Sequence, residues 1–147
     1  MSPQPEADAT RAVVQDLLVR LGEGPPERIA ELYAEQVDWR LDWPESAHGR
    51  AATPWIRHRT TRADVADHYR ELAGHHVRGE ADTQVERVLV DGEDAVVLGE
   101  IRQTAESTKR AYRARFALHL TVTDGLITRQ HTYEDSLAVA EAFDESA

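Results

Sequence analysis

Apolar residues recur at helical spacing early in the chain and switch to strict alternation in its second half. Val13, Val14, Leu17, Leu18 and Leu21 fall at intervals of one, three and four, the stripe of an amphipathic helix. Gly22-Glu23-Gly24-Pro25-Pro26 stops it. Pro26 suits the first turn of a second helix, where its missing N–H costs nothing, and Ile29, Leu32 and Tyr33 give that helix a buried face. Residues 37–43 alternate apolar and polar as a half-buried strand that Pro44 ends. A loop with Gly49, Pro54 and Trp55 leads to Thr61-Arg62-Ala63-Asp64, a capping box. It opens a third helix with Val65, Tyr69 and Leu72 inward, running to about His76.

After Gly79 the period becomes two, and residues 85–90, 95–104, 111–122 and 126–133 read as strands. Asp91-Gly92 and Asp124-Gly125 are hairpin-turn signals between them. Residues 136–143 form a closing helix. Residues 1–8, with Pro3, Pro5 and no apolar anchor, are expected as a flexible tail, and residues 9–147 as a single domain. Helices segregated ahead of an antiparallel strand run indicate an α+β fold. Helices on one face of a curved sheet leave a cone whose mouth can stay open as a pocket.

Composition narrows the function classes. With 41 % apolar residues in 147 the chain can bury a core. A formal net charge of −10 and a pI near 5.1 disfavour nucleic acid and anionic membranes as partners. The absence of cysteine excludes disulfides, thiolate zinc sites and cysteine nucleophiles. No apolar run reaches the ~20 residues of a membrane helix, and Met1-Ser-Pro-Gln-Pro-Glu6 lacks the features of a signal peptide, so the expected location is cytoplasmic. Lys109 is the sole lysine, a bias that suggests a GC-rich bacterial genome.

Several segments resemble the SnoaL-like domains of the nuclear transport factor 2-like superfamily, which includes ketosteroid isomerase. They are the segment Ile29-Ala-Glu-Leu-Tyr-Ala-Glu-Gln-Val-Asp-Trp39, the Pro54-Trp55-Ile56 step before the third helix, and Asp124-Gly-Leu-Ile-Thr-Arg-Gln-His-Thr-Tyr-Glu-Asp135. The similarity spans roughly residues 10–143. It implies a cone-shaped fold with one ligand pocket, but the superfamily holds isomerases, cyclases, epoxide hydrolases and binding or assembly domains. The resemblance puts Asp42 near the general-base aspartate of ketosteroid isomerase, and Asp135 at the closing aspartate that does acid–base work in SnoaL-like cyclases. It also puts Leu17 or Leu18, and Ala117 or Leu118, where the isomerase has its oxyanion-binding tyrosine and acid, which argues against that mechanism. The arginine–aspartate arrangement of limonene-epoxide-hydrolase-like members is not evident either.

On the last strand Ile127, Arg129, His131, Tyr133 and Asp135 share one face by parity. Facing the cavity, they would supply polar groups that an apolar core does not select. A bulge that reverses parity would instead turn them to solvent or to a dimer interface. His131 is the candidate acid or base, with Glu100, Arg102 or Asp42 as neighbours, since Asp135 lies ~13 Å away along the strand. Asp135 reads equally well as a helix N-cap. Trp39 reads as core, or as pocket wall together with Tyr69, and Trp55 reads as a pocket lip. His68, His75 and His76 lie near one helix face and read as solvated, with no metal site. Arg113, Arg115, His119 and Thr121 share the face opposite Tyr112, Phe116, Leu118, Leu120 and Val122, a strip suited to a homodimer through the outer sheet face.

The expected function is cofactor-free acid–base chemistry on a small, largely apolar molecule. The alternative is a non-catalytic binding or assembly domain on the same fold.

Overall fold

The computed structural model describes residues 3–146, the Pro3 side chain excepted. In order, the elements are α1 (Pro3–Glu23), α2 (Pro26–Ala30), β1 (Tyr33–Leu41), α3 (Glu45–His48), β2 (Arg59–Thr61), α4 (Arg62–Gly74), β3 (Gln84–Asp91), β4 (Asp94–Thr104), β5 (Ala111–Thr123), β6 (Leu126–Glu134) and α5 (Ser136–Ala142). They form one α+β layer pair, helices on a six-stranded sheet of order β2-β1-β6-β5-β4-β3. The meander β3 to β6 is antiparallel throughout, whereas β1 lies parallel to β6.

Local chemistry explains the element ends. Thr61 accepts from the Asp64 N–H at 3.1 Å and the Asp64 carboxylate accepts from the Thr61 N–H at 3.0 Å, so the capping box at α4 is complete. Gly92 alone has positive φ in the β3–β4 turn, the type II′ pattern, while Asp124 and Gly125 both do in the β5–β6 turn, the type I′ pattern. Each turn matches the twist of its strands.

Some expected boundaries move. Residues 3–8, expected as tail, are the first turns of α1; residues 1 and 2 lie outside the described residues, as does residue 147. Prolines in a first helical turn lose no hydrogen bond, and Thr10 further anchors α1 by donating to the Gly92 carbonyl at 2.7 Å. Tyr33, expected in α2, opens β1, and Trp43 lies beyond its end. Leu21 is 38 % exposed although it continues the apolar stripe, because the packed face of α1 centres on Val14 and Leu17.

The sheet face toward α1, α2 and α4 carries the core. At one end Val14, Leu17, Val97, Leu120 and Ile127 are fully sealed. At the other, Leu41, Trp55, Ile56, Val139 and Phe143 close the fold beneath α5. Between the two, the inward-facing Tyr69, Leu72, Ile101, Tyr112, Phe116 and Glu134 are only partly buried. Gly99 is required here, because a Cβ would come within 2.9 Å of the Phe116 ring and 2.2 Å of the Gln84 carbonyl.

Candidate functional site

The β5–β6 register steps from Val122↔Ile127 to Thr121↔Arg129, so Thr128 is an extra residue, a β-bulge. A one-residue insertion turns every later side chain to the opposite face. Ile127 therefore points into the core, but Arg129, His131 and Tyr133 point away from the helices. Gln130, Thr132 and Glu134 take the inner face instead. The parallel ladder agrees, pairing Gln130 with buried Trp39 and His131 with Arg40.

This corrects the expected cavity column. His131 lies on the outer face, its Nε2 2.9 Å from Asp38 Oδ2 and its ring 6.1 Å from that of His119. Burial raises the Asp38 pKa, but its contacts with His131, then Arg40 and Arg129, bring it below the ordinary value. Arg129 Nε sits 3.6 Å from the same carboxylate, and Tyr133 is 61 % exposed. Asp135 accepts from the Ala138 N–H at 3.2 Å and is the N-cap of α5. Asp42 is exposed and meets His58 at 2.7 Å. Glu100 and Arg102 pair with each other at 2.8 Å on the outer face of β4. None of these residues is brought to the inner face of the sheet.

The core reading of Trp39 holds, and the lip reading of Trp55 does not. Trp39, 1 % exposed, lies in the core with its ring 4.7 Å from His68 and 6.0 Å from Tyr69. Trp55 is no lip: it is 2 % exposed and packs on His75, His76 and Phe143 at 5.1 to 5.3 Å. His68 and His76, expected as solvated, are 6 % and 7 % exposed. His68 shares the Val65 and Leu72 face of α4, so helix spacing already allowed its burial, whereas His76 lies past the end of α4 and meets Trp55 and Phe143 only through the chain reversal there.

The inner face of β6 gathers partly buried polar and titratable side chains. Tyr33 donates to the Gln130 side-chain carbonyl, and the Gln130 amide donates to Tyr69 Oη at 3.5 Å. Farther along, burial pushes the Glu134 carboxyl up to about 7, with the nearby Asp135 charge adding to it. Tyr112, on β5, is held well above the usual phenol range, first by burial and then by the Glu134 charge. His76 Nε2 lies 2.6 Å from Tyr112 Oη, and its Nδ1 lies 2.6 Å from the Leu72 carbonyl. Burial lowers the His76 pKa, partly offset by that carbonyl, and drives His68 down to about 3, with Arg59 contributing. Arg59 itself is tied to Glu71 at 3.0 Å.

Phe143 packs on both His76 and Tyr112 and also lines an open groove of about 750 Å³ with Trp43, His48, Pro54, His75 and Leu137. Among the described residues no group of three or more His, Asp or Glu side chains gathers as a metal site. None of their helices is long and apolar enough to cross a membrane.

The sequence offered Gln130, Thr132 and Glu134 as the opposite parity of the same strand. The bulge leaves no mark in the alternation, so the sequence gives Glu134 no signal that sets it apart from His131.

Residues 14–130 match the sequence model of the SnoaL-like domain family. No curated protein matches the chain. Among solved structures, a nuclear transport factor 2-like protein of Burkholderia xenovorans is 18 % identical with a TM-score of 0.74, over 94 % of this chain and 98 % of that one. A nuclear transport factor 2-like protein of unknown function from Burkholderia pseudomallei gives 16 % and 0.77, over 91 % and 96 %. A Kribbella flavida protein, provisionally assigned as a ketosteroid isomerase, is 26 % identical with a TM-score of 0.62, over 88 % and 79 %.

Proposed function

The chain belongs to the SnoaL-like domain family, and within it we propose a cofactor-free protein that holds a small uncharged molecule against the inner face of β6 and moves a proton on it through Glu134. The observation that carries the reading is the inward succession Gln130, Thr132, Glu134 beside Tyr112 and Phe116 of β5, on the sheet face that partly buried Tyr69 and Leu72 of α4 also meet. A core face with no ligand role gains nothing from a carboxyl there, since burying it unpaired is costly.

A carboxyl that titrates near neutrality can give and take a proton at working pH, as a general acid or base must. Isomerisation, aldol-type cyclisation and epoxide opening all need such a group. The inward cations speak for an uncharged ligand: His68 and His76 are kept neutral by burial, and Arg59 is already paired with Glu71.

The test is α-proton exchange of a panel of aryl and cyclic ketones in D₂O. Wild-type protein is expected to accelerate exchange for some member, and Glu134→Gln to lose most of it, by the roughly 10²–10⁴-fold that general acid–base catalysis supplies. A Glu134 carboxyl that titrates like a surface glutamate in ¹³C NMR would remove the basis of the reading.

A second reading, assembly, has its own support on the outer face. Tyr133 and Leu89 are 61 % and 42 % exposed there, beside partly buried Val96, Leu98 and Ala117, which suits a homodimer through the sheet.

A further inference from the structure

We propose that Tyr112, with its proton committed to His76, offers a ligand on the inner face of β6 only oxygen lone pairs, and so selects ligands that bring a hydroxyl or other hydrogen-bond donor to that end. The inference rests on the reading that the inner face of β6 is a ligand site.

The hydrogen-bond accounting starts at the Leu72 carbonyl. A carbonyl oxygen only accepts, so the His76 Nδ1 that lies 2.6 Å from it carries a hydrogen. Burial, with the neighbouring His75 adding to it, keeps His76 from taking a second proton near neutral pH despite that carbonyl. A neutral imidazole has one N–H, so Nε2 is bare and can only accept. Tyr112 Oη lies 2.6 Å from Nε2, and the phenol therefore donates.

Burial and the Glu134 charge also keep Tyr112 from ionising, so it has one hydrogen, and that hydrogen is used. What remains on the oxygen is acceptor capacity.

Packing holds this arrangement in place. The His76 ring lies 5.3 Å from both Trp55 and Phe143 and 5.7 Å from Tyr112, and Phe143 lies 6.2 Å from Tyr112. A phenol so caged cannot turn its O–H toward a ligand without breaking the bond to His76.

The consequence is a polarity along the site. Glu134, protonated for part of the time near neutrality, can donate or accept, whereas Tyr112 only accepts. A ligand oxygen without a hydrogen, placed at Tyr112, would set lone pair against lone pair and leave both unsatisfied. An oxyanion there would fare worse. Tyr112 therefore does not stabilise an enolate; it positions the remote, donor-bearing end of the molecule.

Two measurements test this on the intact chain. The first is ¹⁵N NMR of imidazole-labelled protein at pH 7.5, where His76 should show a protonated Nδ1 and an unprotonated, hydrogen-bonded Nε2. A protonated Nε2 overturns the proposal.

The second is the affinity of a matched pair, 4-hydroxyacetophenone and 4-methoxyacetophenone, which share the ketone and differ in the donor. Wild type should prefer the hydroxyl compound by roughly two- to tenfold, the worth of one hydrogen bond. Tyr112→Phe should abolish that preference, which separates the donor effect from the bulk of the methyl group. Equal affinities in wild type, a preference for the ether, or a preference that survives in Tyr112→Phe overturns the proposal. So does the absence of binding by both compounds. Should Tyr112→Phe fail to fold, His76→Phe replaces it; freeing the phenol proton to meet an ether oxygen should shrink the preference, and an unchanged preference overturns the proposal. Glu134 titration is read separately: an ordinary carboxyl beside the expected His76 tautomer and hydroxyl preference would sink acid–base catalysis and leave the donor-selecting site standing.

Discussion

Gln130 pairs with Trp39 across the parallel β1–β6 ladder, and that register turns the Gln130 side chain into the core and the His131 side chain out of it. Two neighbouring residues thus acquire opposite fates. Gln130 joins Tyr33 and Tyr69 in a buried network, while His131 meets Asp38 on the far face.

Glu134 and His68 should give the stability curve two opposing slopes. Burial pushes the Glu134 carboxyl up to about 7 from its ordinary 4.5, so the folded state holds the extra proton and stability falls as pH rises from 4.5 to 7. His68, at about 3 against 6.5, works the other way: its contribution is complete above pH 6.5 and is lost as pH falls toward 3. Between pH 4.5 and 6.5 the two largely cancel. Glu134→Gln should unmask the His68 slope, making the variant more stable than wild type at pH 8, by up to about 3 kcal/mol, and similar to it at pH 4.5. Urea denaturation at stepped pH checks this; a variant that tracks wild type at both ends would refute the buried carboxyl.

Trp55→Ala should unfold the protein readily. A 2 % exposed tryptophan that fills the space among His75, His76 and Phe143 leaves a cavity when truncated, at a cost of about 3–5 kcal/mol. A melting temperature within a degree or two of wild type would show that the loop collapses to fill the gap.

Asp135→Asn should change little, because asparagine caps a helix about as well as aspartate, and Asp135→Ala should cost about 1 kcal/mol through the lost bond to the Ala138 N–H. Thermal denaturation reads both. If Asp135→Asn lowers any measured ketone exchange a hundredfold, capping is not its main role.

The outer face should drive self-association. Tyr133→Asp and Leu89→Arg place charge on its exposed apolar surface and should shift a wild-type dimer to monomer in analytical ultracentrifugation. A monomeric wild type at micromolar concentration would defeat the assembly reading.

Which parts of this were open to inspection in the sequence follows from the range of the forces involved. The capping box at Thr61, the turns at Asp91-Gly92 and Asp124-Gly125, and the four alternating strands are set within a few residues, and each appears where the chain alone places it. The resemblance carried by the segments ending at Trp39 and Asp135 likewise fixed the family. What the chain did not announce arises between segments distant in sequence. The β1–β6 pairing joins residues almost a hundred positions apart, and the bulge at Thr128 shows only in how β6 registers with its neighbouring strands. Both parities of β6 carry polar side chains, so alternation could not choose between His131 and Glu134. Tertiary register chose, and burial then raised the Glu134 pKa, because the loss of water that penalises its charge comes from elements packed over it and not from its neighbours along the chain.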